Sequence, residues 1–112
     1  MQELTISINK QVVYEFNRDI TFDEQQLSFL NKMDGDMERG IKIRGELISH
    51  PDSQQRARFV VMNLIKALQR DNEAVTAALC GYLVNRHPAL VEVHANDSEN
   101  SIKIELINES EE

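Results

Sequence analysis

One segment of the chain, from Ala74 to Val84, contains a single clearly polar residue, Thr76. Asn72 before it and Pro88 after it predict a helix over 73–86, because the position before a proline disfavours helical backbone. A helix that is apolar on nearly every side is buried on nearly every side. The segment therefore predicts a central core helix on which the rest of the chain must pack.

A second core helix is predicted over 53–70, immediately before the first. Asp52 is the expected N-cap, with Gln55 as the side chain that returns to it. At about 100° per residue, the apolar positions of this segment share one continuous face. They are Ala57, Val60, Val61, Leu64, Ile65, Ala67 and Leu68.

Alternating apolar residues near both ends of the chain predict two β-hairpins. Residues 3–8 and 11–16 form the first, and residues 91–95 and 102–106 form the second, about a polar turn over 96–101. The predicted fold class is therefore α+β, with an N-terminal hairpin, three helices and a C-terminal hairpin.

The first of the three helices is predicted to run from Phe22 to about Met33. Thr21 and Glu24 have the spacing of a capping box, and Gly35 and Gly40 are expected to end the pattern. Its expected inner side is Phe22, Gln26, Phe29, Leu30 and Met33. Residues 41–50 are predicted to be an irregular connection or a short strand.

The domain prediction is one α+β domain over residues 1–108, followed by a short acidic tail over 109–112 that we expect to be mobile. The single cysteine, Cys80, allows no internal disulfide, which favours a reducing compartment. Met1 to Leu4 lacks the basic and apolar regions of a signal peptide, and the longest apolar stretch is shorter than the roughly 17 residues of a membrane span. We expect a cytoplasmic protein without membrane contact.

Charge is distributed unevenly along the chain. Residues 1–38 have three basic and eight acidic side chains, residues 39–70 have seven and two, and residues 71–112 have two and nine. The resulting net charge of −7 argues against general affinity for nucleic acid. The basic middle segment either solvates a surface or presents a local basic face to an acidic partner, including a second copy of the chain.

Candidate nucleophiles and ligands do not form a recognisable catalytic or metal site. Cys80 and His87 would lie two helical turns apart, roughly 10 Å, and a thiol in so apolar a segment is inert. The three histidines, His50, His87 and His94, are scattered over different predicted elements. We therefore expect no metal ligands among them.

An acidic series near the end of the first helix does not form a calcium site. Asp34, Asp36 and Glu38 alternate like calcium ligands, but Gly45 stands where a bidentate glutamate is required. The series is therefore expected to be a solvated acidic helix end. Neither a P-loop nor a dinucleotide-binding or nucleophile-elbow motif occurs, so we predict no cofactor and no enzymatic activity.

The solvent-facing arc of helix 53–70 has the composition of an interface, with an apolar centre and a charged rim. The candidate protein-binding residues are Arg56, Phe59, Met62, Asn63, Lys66 and Arg70. Two interpretations remain open: a hairpin of the same chain covers Phe59, or the arc is a binding surface.

A dimer interface is predicted on helix 73–86, where Ala74, Ala78 and Gly81 are small and lie close to one face. The leading hypothesis is a homodimeric, non-enzymatic protein-interaction module whose partner the sequence does not identify. The alternatives are a nucleic-acid-associated regulator that uses the basic helix, and a small-molecule enzyme whose site is not visible in the sequence. A helix-turn-helix is excluded because the second helix lacks base-contacting side chains before Asn85.

Overall fold

The computed structural model describes residues 3–43, 45–98 and 101–109. In chain order the elements are β1 (Glu3–Ile8), β2 (Gln11–Asn17), α1 (Glu24–Glu38), β3 (Ile41–Ile43), β4 (Glu46–Ile48), α2 (Ser53–Gln69), α3 (Glu73–Arg86), β5 (Leu90–Asp97) and β6 (Ile102–Asn108). The α+β class, the three helices and the two terminal hairpins are confirmed.

The two hairpins join into one four-stranded sheet with the strand order β2-β1-β5-β6. Each hairpin is antiparallel, but β1 and β5 pair in parallel, with Ile6 opposite Val93. A parallel pair requires a long crossover, and here the crossover contains all three helices. The sheet therefore unites the two ends of the chain.

The core lies between one face of this sheet and the helices. Leu4 and Ile6 of β1 and Val93 of β5 are fully buried there, in a single cluster with apolar side chains of all three helices. Along β1 the buried Leu4 and Ile6 are separated by the half-buried Thr5, as the two-residue period of a strand requires, and the alternation ends at the irregularity between Ile6 and Ser7.

Both core helices form as predicted. At the start of α2, the Asp52 carboxylate accepts the Gln55 N–H at 2.8 Å, and the Gln55 side chain accepts the Asp52 N–H at 2.9 Å. The predicted face of α2 is buried or, at Leu68, half-buried. Helix α3 begins after Asn72, which accepts the Val75 N–H, and is buried from Leu79 to Val84.

The predicted start and end of α1 are wrong. Asp23 caps the helix instead of Thr21, because its carboxylate accepts the Gln26 N–H while the Gln26 side chain accepts the Asp23 N–H. Gly35 does not end the helix either, since a lone glycine weakens a helix without breaking it. The helix continues to Glu38 and buries Met37, and the chain turns at Gly40, whose φ is +124°.

The segment over 41–50, predicted as a connection or short strand, contains a small hairpin. Strands β3 and β4 pair antiparallel, with Ile41 opposite Ile48. Gly45, at φ +80°, lies in the turn between them, where a left-handed backbone favours glycine. Ile41 is buried against the core, so the hairpin extends the packing of α2.

The predicted acidic tail falls outside the described residues except for Glu109. Across 3–43, 45–98 and 101–109, every helix is too short or too polar to cross a lipid bilayer.

Candidate functional site

The predicted binding patch on α2 is divided between three environments. Phe59 is half-buried and packs against the core, and Met62 and Asn63 are half-buried as well. Arg56 turns inward to Asp34, with which it forms an ion pair at 3.4 Å. Only Lys66 and Arg70 of the predicted set are fully exposed.

A polar cluster ties the three helices together around Asp34. One carboxylate oxygen accepts the Tyr82 hydroxyl at 2.6 Å and an Arg56 amino group at 3.4 Å. The other accepts Arg86 Nε at 3.0 Å, and Arg86 also donates to Asn31 at 2.7 Å. Helices α1, α2 and α3 each contribute side chains, so the cluster fixes their relative positions.

These contacts correct the expectation that Asp34 belongs to a solvated acidic helix end. Burial raises the pKa of the Tyr82 phenol, and its hydrogen bond to Asp34 raises it further, so the hydroxyl stays a donor at neutral pH. Both oxygens of Asp34 are occupied by donors of its own chain. We assign the cluster a structural role, because its hydrogen bonds connect the three helices to one another.

Cys80 and His87 lie in surroundings that do not favour catalysis. Cys80 is fully buried, and burial raises the pKa of its thiol to about 12, which keeps it protonated. Burial lowers the pKa of His87, while Asp34 acts in the opposite direction. Throughout the part of the chain that the structure describes, no three His, Cys, Asp or Glu side chains are arranged to hold a metal ion.

The burial of Cys80 leads to a direct prediction. A thiol reagent such as a nitrobenzoate disulfide should leave the native protein unlabelled and modify one thiol per chain after denaturation, because only the exposed thiolate reacts. Absorbance of the released thiol in native buffer and in denaturant measures this. Fast labelling of one thiol under native conditions would show that the α3 packing is not as described.

An apolar groove opens where β2, α1 and α3 meet, and we refer to it as the α1–α3 groove. Its volume is about 390 Å³. It is lined by Phe16, Ile20, Phe22, Gln25, Gln26, Phe29, Leu30, Ala77, Ala78 and Gly81. None of these side chains is charged, in a chain of which 28% of residues are charged.

The groove includes two of the three residues of the predicted dimer face, Ala78 and Gly81. Gly81 is buried by the chain itself, since a Cβ atom there would lie 3.5 Å from Phe22 Cε2. Ala78 is half-buried in the groove, and Ala74 is exposed. Phe29, predicted to face inward, is 47% exposed at the groove. The helical spacing of Phe29, three residues from Gln26 and four from Met33, therefore predicted its burial incorrectly.

Comparison with known proteins adds no assignment: no family model, no curated protein and no solved structure matches this chain.

Proposed function

We propose that this chain is a non-enzymatic protein-interaction module that forms a homodimer through the α1–α3 groove. The observation that supports the proposal is an uncharged groove with a half-exposed phenylalanine, Phe29, among its lining residues. Exposed apolar surface framed by polar groups is typical of protein–protein contacts.

Charge favours this surface over the others as the contact between two copies. Each chain has a formal net charge of −7, so two copies repel one another wherever their acidic surfaces approach. The groove has no charged lining residue, and Gln25 and Gln26 supply neutral hydrogen-bonding groups beside it. Contact at this place therefore does not bring charged lining residues of the two copies together.

Shape favours a symmetric arrangement. In a two-fold dimer the same patch meets itself, so a protruding side chain must fit a recess of the identical partner. Phe29 is such a side chain, and the small residues Ala77 and Ala78 form part of the recess. We infer that Phe29 of each copy packs over Ala78 of the other.

The elements that border the groove also have exposed apolar side chains. Among the described residues, six large apolar side chains are exposed: Val12, Val13, Leu27, Phe29, Leu47 and Val75. All except Leu47 belong to β2, α1 or α3, the elements that border the groove. Of the six, Phe29 lines the groove itself, so an association centred there removes it from water.

The test is to measure the molar mass of the wild type and of two matched variants. Phe29→Asp places a charge in the groove, whereas Leu47→Asp makes the same change at a 65% exposed position on β4. We expect wild type and Leu47→Asp to sediment at twice the 12.9 kDa chain mass at tens of micromolar. Phe29→Asp should weaken the dimer by roughly 30-fold, which corresponds to the loss of an anchor worth about 2 kcal/mol.

A wild-type monomer at tens of micromolar would contradict the homodimer, and equal effects of the two variants would contradict the groove as its interface. Gly81 is unsuitable as a test position because a larger side chain there would displace Phe22 within the chain. Ala78→Glu is the second informative variant, since Ala78 is half-buried and lines the groove.

The nucleic-acid alternative draws less support from the geometry. Arg56 of the basic helix is held by Asp34, and Arg58 donates to the carbonyl of Ile104 at 3.2 Å. Lys66 and Arg70 remain as exposed cations of α2 without such contacts within the described ranges. Two phosphate contacts alone give weak and strongly salt-dependent binding.

A further inference from the structure

We propose that a second cleft, between the β1–β2 hairpin and the α2–α3 turn, binds an aliphatic cation such as the side chain of an arginine or lysine. The cleft has a volume of about 490 Å³, which is within the range of roughly 300–1,000 Å³ that ligand pockets occupy. It lies apart from the α1–α3 groove and shares no lining residue with it. The inference does not depend on the proposed dimer.

The lining of this cleft contains both apolar side chains and carboxylates. Ile8, Val13 and Leu68 are apolar, and Asp71 and Glu73 supply two carboxylates. None of the lining residues is cationic. Long cationic side chains bury their methylene stems against apolar surface while their charged ends stay at polar groups, which is the arrangement that this lining complements.

Three polar lining residues are already engaged within the chain. Gln69 donates to Asp97 at 3.4 Å, Asn72 accepts the Val75 N–H, and the Thr76 hydroxyl donates to the Asn72 carbonyl at 2.8 Å. Because Asn72 occupies an amide at the start of α3, that helix end is partly closed to an anion. The charged groups of the lining, Asp71 and Glu73, are both hydrogen-bond acceptors.

The two carboxylates have no cation of their own. Over 3–43, 45–98 and 101–109, no ion pair involves Asp71 or Glu73. The phenol of Tyr14 also lines the cleft, and its pKa is raised by burial and, to a smaller extent, by Cys80 and Glu73. A neutral phenol near the Glu73 carboxylate adds a further oxygen that accepts hydrogen bonds from a cation.

The backbone holds Asp71 in a defined place. Its φ is +56°, a left-handed conformation that aspartate and asparagine tolerate better than most residues. The Asp71 N–H bonds to Leu68 O at 3.2 Å, and the Asn72 N–H bonds to Ala67 O at 2.9 Å, which is the Schellman pattern at the end of α2. Asp71→Asn therefore removes the charge while keeping the turn.

The experiment is a titration followed by amide chemical shifts of the whole chain. The probe is N-acetyl-arginine amide, and N-acetyl-citrulline amide is its uncharged control of nearly the same shape. We expect the arginine probe to cause saturable shifts around residues 8, 13 and 68–76, with a dissociation constant on the order of 1 mM. The citrulline probe should bind at least about tenfold more weakly, because it lacks the charge-assisted hydrogen bonds.

Variants then test whether the carboxylates of Asp71 and Glu73 bind the charged probe. The double variant Asp71→Asn/Glu73→Gln should lose the saturable shifts, whereas Glu24→Gln, which removes an exposed charge at the start of α1, should keep them. Equal binding of both probes, unchanged binding by the double variant, or no saturation up to about 50 mM would each overturn the proposal.

A third probe distinguishes the source of the cation. Pentylamine has an aliphatic stem and a single ammonium, like a lysine side chain, without a peptide backbone. Tighter binding of pentylamine than of N-acetyl-lysine amide would assign the cleft to a free amine, and the reverse order would assign it to a side chain of a partner chain. Both results support a cation site and differ only in where the ligand comes from.

Discussion

Leu64→Ala is expected to lower the free energy of unfolding by about 2–5 kcal/mol. Leu64 is 0% exposed on the buried face of α2 and belongs to the core cluster that contains side chains of the sheet and the helices. Removal of its isobutyl group forfeits the transfer free energy of the buried atoms and leaves a space that rigid neighbours fill only partly. Urea or guanidinium denaturation at a fixed protein concentration measures the effect.

The matched control is Leu47→Ala, at a position that is 65% exposed on β4. It removes the same atoms from the surface and should change the free energy of unfolding by less than about 0.5 kcal/mol. A change below about 1 kcal/mol for Leu64→Ala would mean that α2 does not bury the face described above.

Asp34→Ala is expected to have the second largest effect, a loss of about 2–3 kcal/mol. The variant leaves three donors, those of Arg56, Tyr82 and Arg86, without their common acceptor. The side chains of Arg56, Arg86 and Asp34 are about a quarter exposed, so water replaces part of what is lost, and the effect is smaller than for a fully buried pair. Asp34→Asn keeps one acceptor oxygen and should cost about half as much.

Asp36→Ala is the control for this prediction, because it removes a carboxylate two residues away on the same helix. Asp36 pairs with Lys32 at 3.2 Å, but both side chains are more than half exposed. Such surface pairs contribute roughly 0.5 kcal/mol or less. Thermal or denaturant unfolding that shows equal losses for Asp34→Ala and Asp36→Ala would contradict the structural role assigned to the cluster.

Much of the fold could be predicted from the sequence because its signals are local and repeated. The apolar face of α2 recurs over several turns, and the Asp52–Gln55 box marks its start, so both appear in the structure as predicted. The hairpins follow from strict alternation, although β5 and β6 extend beyond the predicted 91–95 and 102–106. Helix α3 is apolar on nearly every side, and its boundaries follow from the polar residues around it.

The features that the sequence predicted poorly depend on competition or on distance. Thr21 and Asp23 are both good N-caps, and only the reciprocal bond of Gln26 favours Asp23. The partners of Asp34 lie 22, 48 and 52 residues away in the chain, so no local sequence pattern indicates them. The sequence does offer one signal, because Asp34 is a polar residue between Leu30 and Met37 on the inner side of α1.

The candidate surfaces were predictable only in part, for the same reason. The sequence places Ala74 and Ala78 on one face of α3. It does not show that Phe22 covers Gly81, because this contact depends on the path of the segment between β2 and α1. The α1–α3 groove combines residues from three elements, and the second cleft does so as well. The hydrophobic periodicity of the sequence assigns residues to a face of one helix or strand, but it does not indicate which helices and strands pack together.

The parallel pairing of β1 with β5 also determines when the sheet can be completed during synthesis. Thr5 to Ile8 pair with Glu92 to Ala95, so the ribosome must deliver all three helices and β5 before the inner edge of β1 has a partner. Until then the N-terminal hairpin has two free edges, which attract other strands. Closure of so long a loop slows folding. Nascent chains that stall before β5 emerges are therefore the form of this protein most in need of a chaperone.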